Sequence, residues 1–245
     1  MLALRSVSLR LKDALVLKNV NLDVPAGGVL ALIGPGAAGK SVLFKVMTGL
    51  LTPDRGEALV DGEVINGMSA LDLARVRKKI GMCFQNNALF DHMTVAENIS
   101  FPLRRLFDYS EVELGAIVAE RLARVSLAGF QGRMPAGLSG GQKKRVGIAR
   151  ATAQKAPIVL YDEPTAGLDP VNSQKIFNLI RDEQRAQGST AVVISSDVGG
   201  LLTVADRVAM LHKGELLFFG STAQAKNSGI AAVHQFVHGL TEGPL

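Results

Sequence analysis

The chain has 245 residues, 47% hydrophobic and 20% charged, which suits a globular protein with a full core and excludes a disordered one. No apolar run approaches the ~20 residues of a membrane-spanning helix, and MLALRSVSLRLKD carries charges where a signal peptide needs an unbroken apolar stretch, so a cytoplasmic protein is expected. The single cysteine, Cys83, rules out an internal disulfide and fits a reducing compartment; the net charge of +5 suits an anionic membrane, nucleic acid or simply a solvated surface, since the basic residues are scattered.

In chain order, residues 2–11 and 15–24 alternate apolar and polar side chains, with Leu4, Val7, Leu9 and Leu11 in the first, and predict two strands of an antiparallel patch. Pro25-Ala26-Gly27-Gly28 turns the chain into a buried strand, Val29 to Ile33. That strand ends in Gly34-Pro35-Gly36-Ala37-Ala38-Gly39-Lys40-Ser41, and an amphipathic helix follows directly. Gly, four residues, then Gly-Lys-Ser between a strand and a helix is the phosphate-binding P-loop pattern. Glycines let the backbone curl its N–H groups towards phosphate oxygens, and the positive end of the helix faces the same anion. Lys40 adds a mobile charge for the β- and γ-phosphates, and Ser41 offers a hydroxyl to Mg²⁺. Ala37 and Ala38 stand where many such loops carry glycine or serine, which predicts a stiffer loop.

Beyond the loop, Pro53-Asp54-Arg55-Gly56 is a turn, and Glu57 to Ile65 holds two short strands around the hairpin dipeptide Asp61-Gly62. Ser69 with Asp72 starts a helix whose end carries Arg75, Arg77, Lys78 and Lys79, where cations suit the helix dipole. An apolar strand, Ile80 to Phe84, ends at Gln85. From Asn86 to about Arg150 the pattern is mostly helical, with predicted breaks at Pro102, Gly129 to Gly132 and Pro135 to Gly137. The sheet resumes at Ile158 to Tyr161, followed by Asp162-Glu163. A helix over Asn172 to Gln187 stopped by Gly188, a buried strand Ala191 to Ile194, and a hairpin of Arg207 to Leu211 and Glu215 to Phe219 complete the regular elements. The expected fold class is α/β: a P-loop NTPase core with an antiparallel β subdomain and a helical insertion over 86–150, in one domain of residues 1–245.

Leu138-Ser139-Gly140-Gly141-Gln142, with Lys143-Lys144-Arg145 behind it and IVLYDEPTAGLD further on, makes the chain resemble the ATP-binding cassette (ABC) family, whose signature is LSGGQ. The resemblance implies an ATPase whose signature docks on the γ-phosphate of ATP held by the P-loop of a second subunit, a role that a helix N-terminus suits. It also implies that Asp162 holds Mg²⁺ and that Glu163 polarises the attacking water as general base. Ala166-Gly167-Leu168-Asp169 resembles the D-loop at the dimer interface, and Gln85 the glutamine that senses Mg²⁺ and water while its loop touches membrane subunits. Without the resemblance, Ser139 reads as a helix N-cap and Asp162-Glu163 as carboxylates capping the next helix.

Two positions depart from the family pattern. Ser196, in Ile194-Ser195-Ser196-Asp197, stands where a histidine normally contacts the γ-phosphate, which puts full catalytic competence in question. Leu11 stands where an aromatic residue usually carries the adenine; it can pack on a purine but has no π face.

Phe84-Gln85-Asn86-Asn87-Ala88-Leu89-Phe90-Asp91 and the tail Gln235-Phe236-Val237-His238-Gly239-Leu240 with Gly243-Pro244 are similar to the ATPases of Mla and Mce type phospholipid transporters. That branch implies a homodimer of ATPase subunits driving integral-membrane permeases at the cytoplasmic face of the inner membrane. It further implies an Mce-type substrate-binding protein and a small STAS-domain protein as partners. The mean hydropathy of +0.23, high for a chain without a span, agrees with surface reserved for a partner. A soluble ABC protein acting on DNA or the ribosome usually carries a coiled-coil insert or a second cassette, for which 245 residues leave no room, so no nucleic-acid partner is expected. Another importer-type ATPase, or a nucleotide-gated regulatory subunit that hydrolyses ATP weakly, stays open as an alternative. His234 and His238 have metal-ligand spacing without a third ligand nearby, and Cys83 reads as a small core residue.

Overall fold

The computed structural model describes residues 1–245. Strands β1 (Leu2–Leu11) and β2 (Ala14–Val24) pair antiparallel, and their alternation buries Leu2, Leu4, Val7 and Leu9. β3 (Gly28–Ile33) runs through the P-loop into α1 (Lys40–Met47). β4 (Arg55–Val60) and β5 (Glu63–Val64) turn at Asp61-Gly62 and complete a four-stranded sheet of order β2-β1-β4-β5. α2 (Ala70–Arg77) begins at Ser69, whose side chain accepts from the Asp72 amide, and β6 (Ile80–Cys83) follows. α3 (Val95–Leu106), α4 (Glu111–Arg124) and α5 (Gly140–Thr152) lie between β6 and β7 (Ile158–Asp162). Then come α6 (Pro170–Gln187), β8 (Thr190–Ile194), α7 (Val198–Leu201), β9 (Arg207–His212), β10 (Glu215–Ser221), α8 (Thr222–Lys226) and α9 (Ala231–His238).

The second sheet has six strands in the order β10-β9-β3-β8-β7-β6, all parallel except the edge strand β10. Both of its faces are covered, which is why its central strands read as unbroken apolar runs. Val29, Ala31 and Ile33 of β3 face one core with Val159, Tyr161, Ala191 and Val193, under helices α3 to α7. Leu30 and Leu32 face the other, with Leu160, Val192 and Ile194, which α1 and the antiparallel sheet close.

Pro102 does not break the helix as predicted. It lies inside α3, where a capping box of Thr94 and Glu97 fixes the start and Val95, Ile99 and Leu103 form a buried stripe on both sides of it. Packing of that stripe outweighs the one backbone hydrogen bond that proline removes. The strand after α2 stops at Cys83, with Phe84 40% exposed, and α6 starts two residues earlier than predicted because Asp169 caps it and Pro170 suits its first position.

A buried ion pair ties α4 to α6. Arg121 Nη1 lies 3.0 Å from Glu183 Oε2, with side chains only 3% and 2% exposed, and Arg124 also bonds Glu183. Glu183→Ala, which leaves Arg121 only its contact with the half-exposed Glu120, is expected to lower the unfolding free energy by up to about 3–5 kcal/mol, and an Arg121→Met/Glu183→Leu double variant to regain most of it. Urea unfolding checks this; a single variant as stable as the parent would contradict it.

Candidate active site

Parallel pairing sets the ends of four strands side by side. Leu32 stands opposite Ile194, Ile194 opposite Asp162, and Tyr161 opposite Cys83. The segments leaving those strands carry the P-loop, Ser195-Ser196, Glu163 and Gln85, along one edge of the sheet.

The P-loop fits tightly against β9. Gly34 has φ +143°, and a Cβ there would fall 2.0 Å from the Leu211 carbonyl oxygen. Ala37 sits at φ +58°, a left-handed conformation that alanine rarely takes, so strain is stored where the sequence predicted stiffness. The amides of Gly36, Ala37, Gly39, Lys40 and Ser41 donate to no protein backbone acceptor, while Ala38 donates to Pro35. Lys40 Nζ donates to the carbonyls of Gly34 at 2.6 Å and Pro35 at 2.7 Å. Burial lowers the pKa of this ammonium, and Glu163 and Asp162 oppose that shift. Amides without acceptors around a half-buried cation match a phosphate chain.

Ser41 Oγ donates to Asp162 Oδ1 at 3.3 Å. Asp162 is 7% exposed; burial raises its pKa, and the Ser41 hydrogen bond works against that. One hydroxyl and one carboxylate converging beside the loop amides fit Mg²⁺, which takes few protein oxygens and fills its shell with water and phosphate. Gln85 lies exposed on the turn after β6 and makes no side-chain hydrogen bond to either of them.

Glu163 is held from several sides. Its φ is +49°, its N–H donates to the Ile194 carbonyl at 2.9 Å, and its carbonyl accepts from Ala166 at 3.3 Å. Its carboxylate Oε2 accepts from the Ser196 amide at 3.0 Å and from Ser196 Oγ at 3.1 Å. Ser196 therefore touches the candidate general base directly. Ser195, which the sequence does not single out, is buried; its Oγ lies 3.2 Å from Thr165 Oγ1 and accepts from the Asp197 amide, bracing the loop. Neither carboxylate caps the next helix, because Asp169 does so.

At the signature, Ser139 Oγ accepts from the Gln142 amide at 3.3 Å and Gln142 Oε1 from the Ser139 amide at 2.9 Å. That capping box leaves the α5 N-terminus open, since neither Gly140 nor Gly141 has an atom within 4 Å of where a Cβ would stand. Leu138, 7% exposed, belongs to the core. Asp169 accepts from the Asn172 amide at 2.9 Å, and the Asn172 donors hold its carboxyl below the usual range. Leu11 ends β1, 36% exposed. No hydrogen bond joins residues 138–142 to residues 34–41 within the chain.

Outside the site, Cys83 is a core residue whose thiol burial pushes up to about 11. The rings of His234 and His238 lie 4.5 Å apart, and His238 Nε2 is 2.9 Å from the Lys226 carbonyl oxygen.

Comparison with known proteins matches residues 17–166 to the ABC transporter family. The "Probable ribonucleotide transport ATP-binding protein mkl" of Mycobacterium leprae is 40% identical over 93% of this chain and 66% of its own length, so the chain spans just under two thirds of that relative. The "Intermembrane phospholipid transport system ATP-binding protein MlaF" of Escherichia coli K12 is 36% identical over 99% of this chain and 90% of its own. Among solved structures, a dimeric post-hydrolysis state of the ATP-binding cassette MJ0796 bound to ADP and Pi superposes with a TM-score of 0.83, at 32% identity, over 91% of this chain and 99% of that one.

Lys40→Ala is expected to weaken ATP binding by well over about tenfold, because no other loop cation faces the phosphates; titration with a fluorescent ATP analogue checks it, and unchanged affinity would contradict the loop assignment. Ser196→Ala keeps the amide contact to Glu163, so turnover is expected to fall by no more than about tenfold. Ser196→His, which restores the histidine of the family pattern at that position, is expected to raise single-turnover hydrolysis by ~tenfold. No gain from histidine together with a large loss from alanine would give the serine a role of its own.

Proposed function

The chain belongs to the ABC transporter family of ATP-binding subunits, and on that premise we propose that it hydrolyses ATP to power phospholipid transport between the inner and outer membranes. The observation that carries the chemistry is the clamped Glu163 carboxylate at the strand edge that also presents Lys40, Ser41 and Asp162. The phospholipid reading draws support from the likeness to MlaF across 99% of the chain, tail included, together with the Phe84 to Asp91 and Gln235 to Pro244 segments.

The loop amides and Lys40 bind the β- and γ-phosphates of ATP, and Leu11 packs on the base. Ser41 and Asp162, together with Gln85, would hold Mg²⁺, which would neutralise charge on the phosphates. Glu163 accepts a proton from the attacking water, and Ser196 keeps its carboxylate turned towards that water. The site is completed by a second copy, whose Leu138 to Gln142 segment, led by the exposed Ser139, faces the γ-phosphate, while Asp169 lies at the seam between the copies. Positioning and charge do most of the work in phosphoryl transfer, so a missing imidazole slows the step without abolishing it.

No helix is long and apolar enough to cross a membrane, so a membrane role needs partner subunits. A groove of about 500 Å³ between the core sheet and α3 is lined by Leu50, Met82, Phe84, Phe90 and Phe101, with Arg77 and Arg105 among them. It suits a permease segment with apolar and acidic side chains, which would hold the ATPase at the cytoplasmic face of the inner membrane. Residues 86–150 act as the helical subdomain of a single domain, which carries the signature and faces that permease. An Mce-type substrate-binding protein and a STAS-domain protein complete the proposed assembly.

Glu163→Gln keeps the side-chain shape but cannot take the proton. Extracted from membranes in ATP, this variant is expected to be dimeric, to retain unhydrolysed ATP and to bring down a membrane-spanning subunit with bound phospholipid, read by mass spectrometry. Parental hydrolysis would remove Glu163 from the mechanism, and a complex carrying a nucleoside cargo would overturn the lipid assignment.

A further inference from the structure

The buried face of α5 repeats at helical spacing through Gly147, Ile148 and Ala151, where it lies close on the sheet: a Cβ on Gly81 of β6 would fall 2.1 Å from the Ala151 carbonyl oxygen. The same face begins with Lys144, 5% exposed, at a position where an apolar residue is the ordinary choice. Its ammonium has no carboxylate within salt-bridge distance, and its one polar contact is the Glu163 carbonyl oxygen at 3.5 Å. A buried, unpaired ammonium costs stability, so a compensating role is expected. Burial lowers its pKa, while the nearby Cys83 and Glu163 oppose the shift. Glu163 is the non-glycine residue at positive φ whose carbonyl Lys144 meets, a backbone state that its surroundings must enforce.

Other turns of α5 reach other parts of the site. Its N-terminus carries the Ser139 and Gln142 capping box, and near its end Arg150 donates to the Ala88 carbonyl at 2.8 Å and to the Asn87 carbonyl, in the loop after Gln85. Gly147 leaves room for Asn87 and Cys83, each 3.4 Å from where its Cβ would stand. One helix thus touches the signature, Glu163 and the Gln85 loop, and a rigid helix moves these contacts together.

We propose that Lys144 is a positioning residue for ATP hydrolysis: from the buried face of α5 it holds the Glu163 backbone in its left-handed conformation, so that docking of the signature on a partner's nucleotide sets the catalytic carboxylate of the same chain. The proposal rests on the ATPase assignment above. A misplacement of about 1 Å at a catalytic group costs about a hundredfold, so the effect belongs in kcat.

The test compares Lys144→Met and Lys144→Arg in the full chain by kcat, KM for ATP and Tm, with Lys40→Ala as the blank. Lys144→Met is expected to lose about ten- to a hundredfold in kcat with KM changed less than about threefold, and Lys144→Arg to recover most of the rate. Tm of Lys144→Met is expected to rise by about 2–4 °C, because a buried unpaired charge is replaced by an apolar chain of similar length. A parental kcat in Lys144→Met, an equal loss in ATP affinity, or a Tm that falls with the activity would overturn the proposal. A parent without Lys40-dependent turnover would overturn the ATPase assignment instead, and the Tm comparison, which needs no turnover, would still be read.

Discussion

Parallel register across β3, β8, β7 and β6 is the constraint on which everything else depends. Each of these strands is buried on both faces, so alternate side chains are committed to two different cores. A slip of one residue would exchange the two sets, setting Tyr161 of one core where Leu160 packs in the other. Register therefore fixes how far each strand extends, and with it where Gly34, Gln85, Glu163 and Ser196 leave the sheet. Chemistry at the edge inherits its precision from packing in the middle.

The edge so formed holds its polar groups ready. Lys40 is satisfied by the Gly34 and Pro35 carbonyls, and the Glu163 carboxylate by Ser196, so neither is left as a bare charge in a half-buried site. On the proposed function, binding a phosphate chain exchanges carbonyl partners of Lys40 for stronger charged ones. What one chain does not supply is a signature at its own P-loop: residues 138–142 make their hydrogen bonds within their capping box and with near neighbours, such as the Pro135 carbonyl and the Lys143 amide, instead. On the proposed function their open N-terminus meets the nucleotide of another copy.

Local chemistry was legible in the sequence because it depends on neighbours in the chain. Gly34 to Ser41 announced itself through residue types at fixed spacing, and the β4–β5 hairpin through Asp61-Gly62. Pro102 misled, because a local rule about backbone donors was outweighed by a stripe packed against distant residues. The pairing of Ser196 with Glu163 joins positions 33 apart and depends on β7 and β8 being neighbours in register, which no local pattern encodes. Lys144 was visible only as part of a basic run after the signature; that it points into the core while Lys143 and Arg145 are less buried depends on the phase of α5 against the sheet.

On the proposed function one chain carries half of each of two ATP sites, so turnover belongs to the pair. Hydrolysis per chain, measured over a wide range of protein concentration at saturating ATP, addresses it most directly. Specific activity that climbs with concentration and levels off as dimers fill is the predicted result. Specific activity that stays constant down to concentrations at which the protein sediments as a monomer would contradict it.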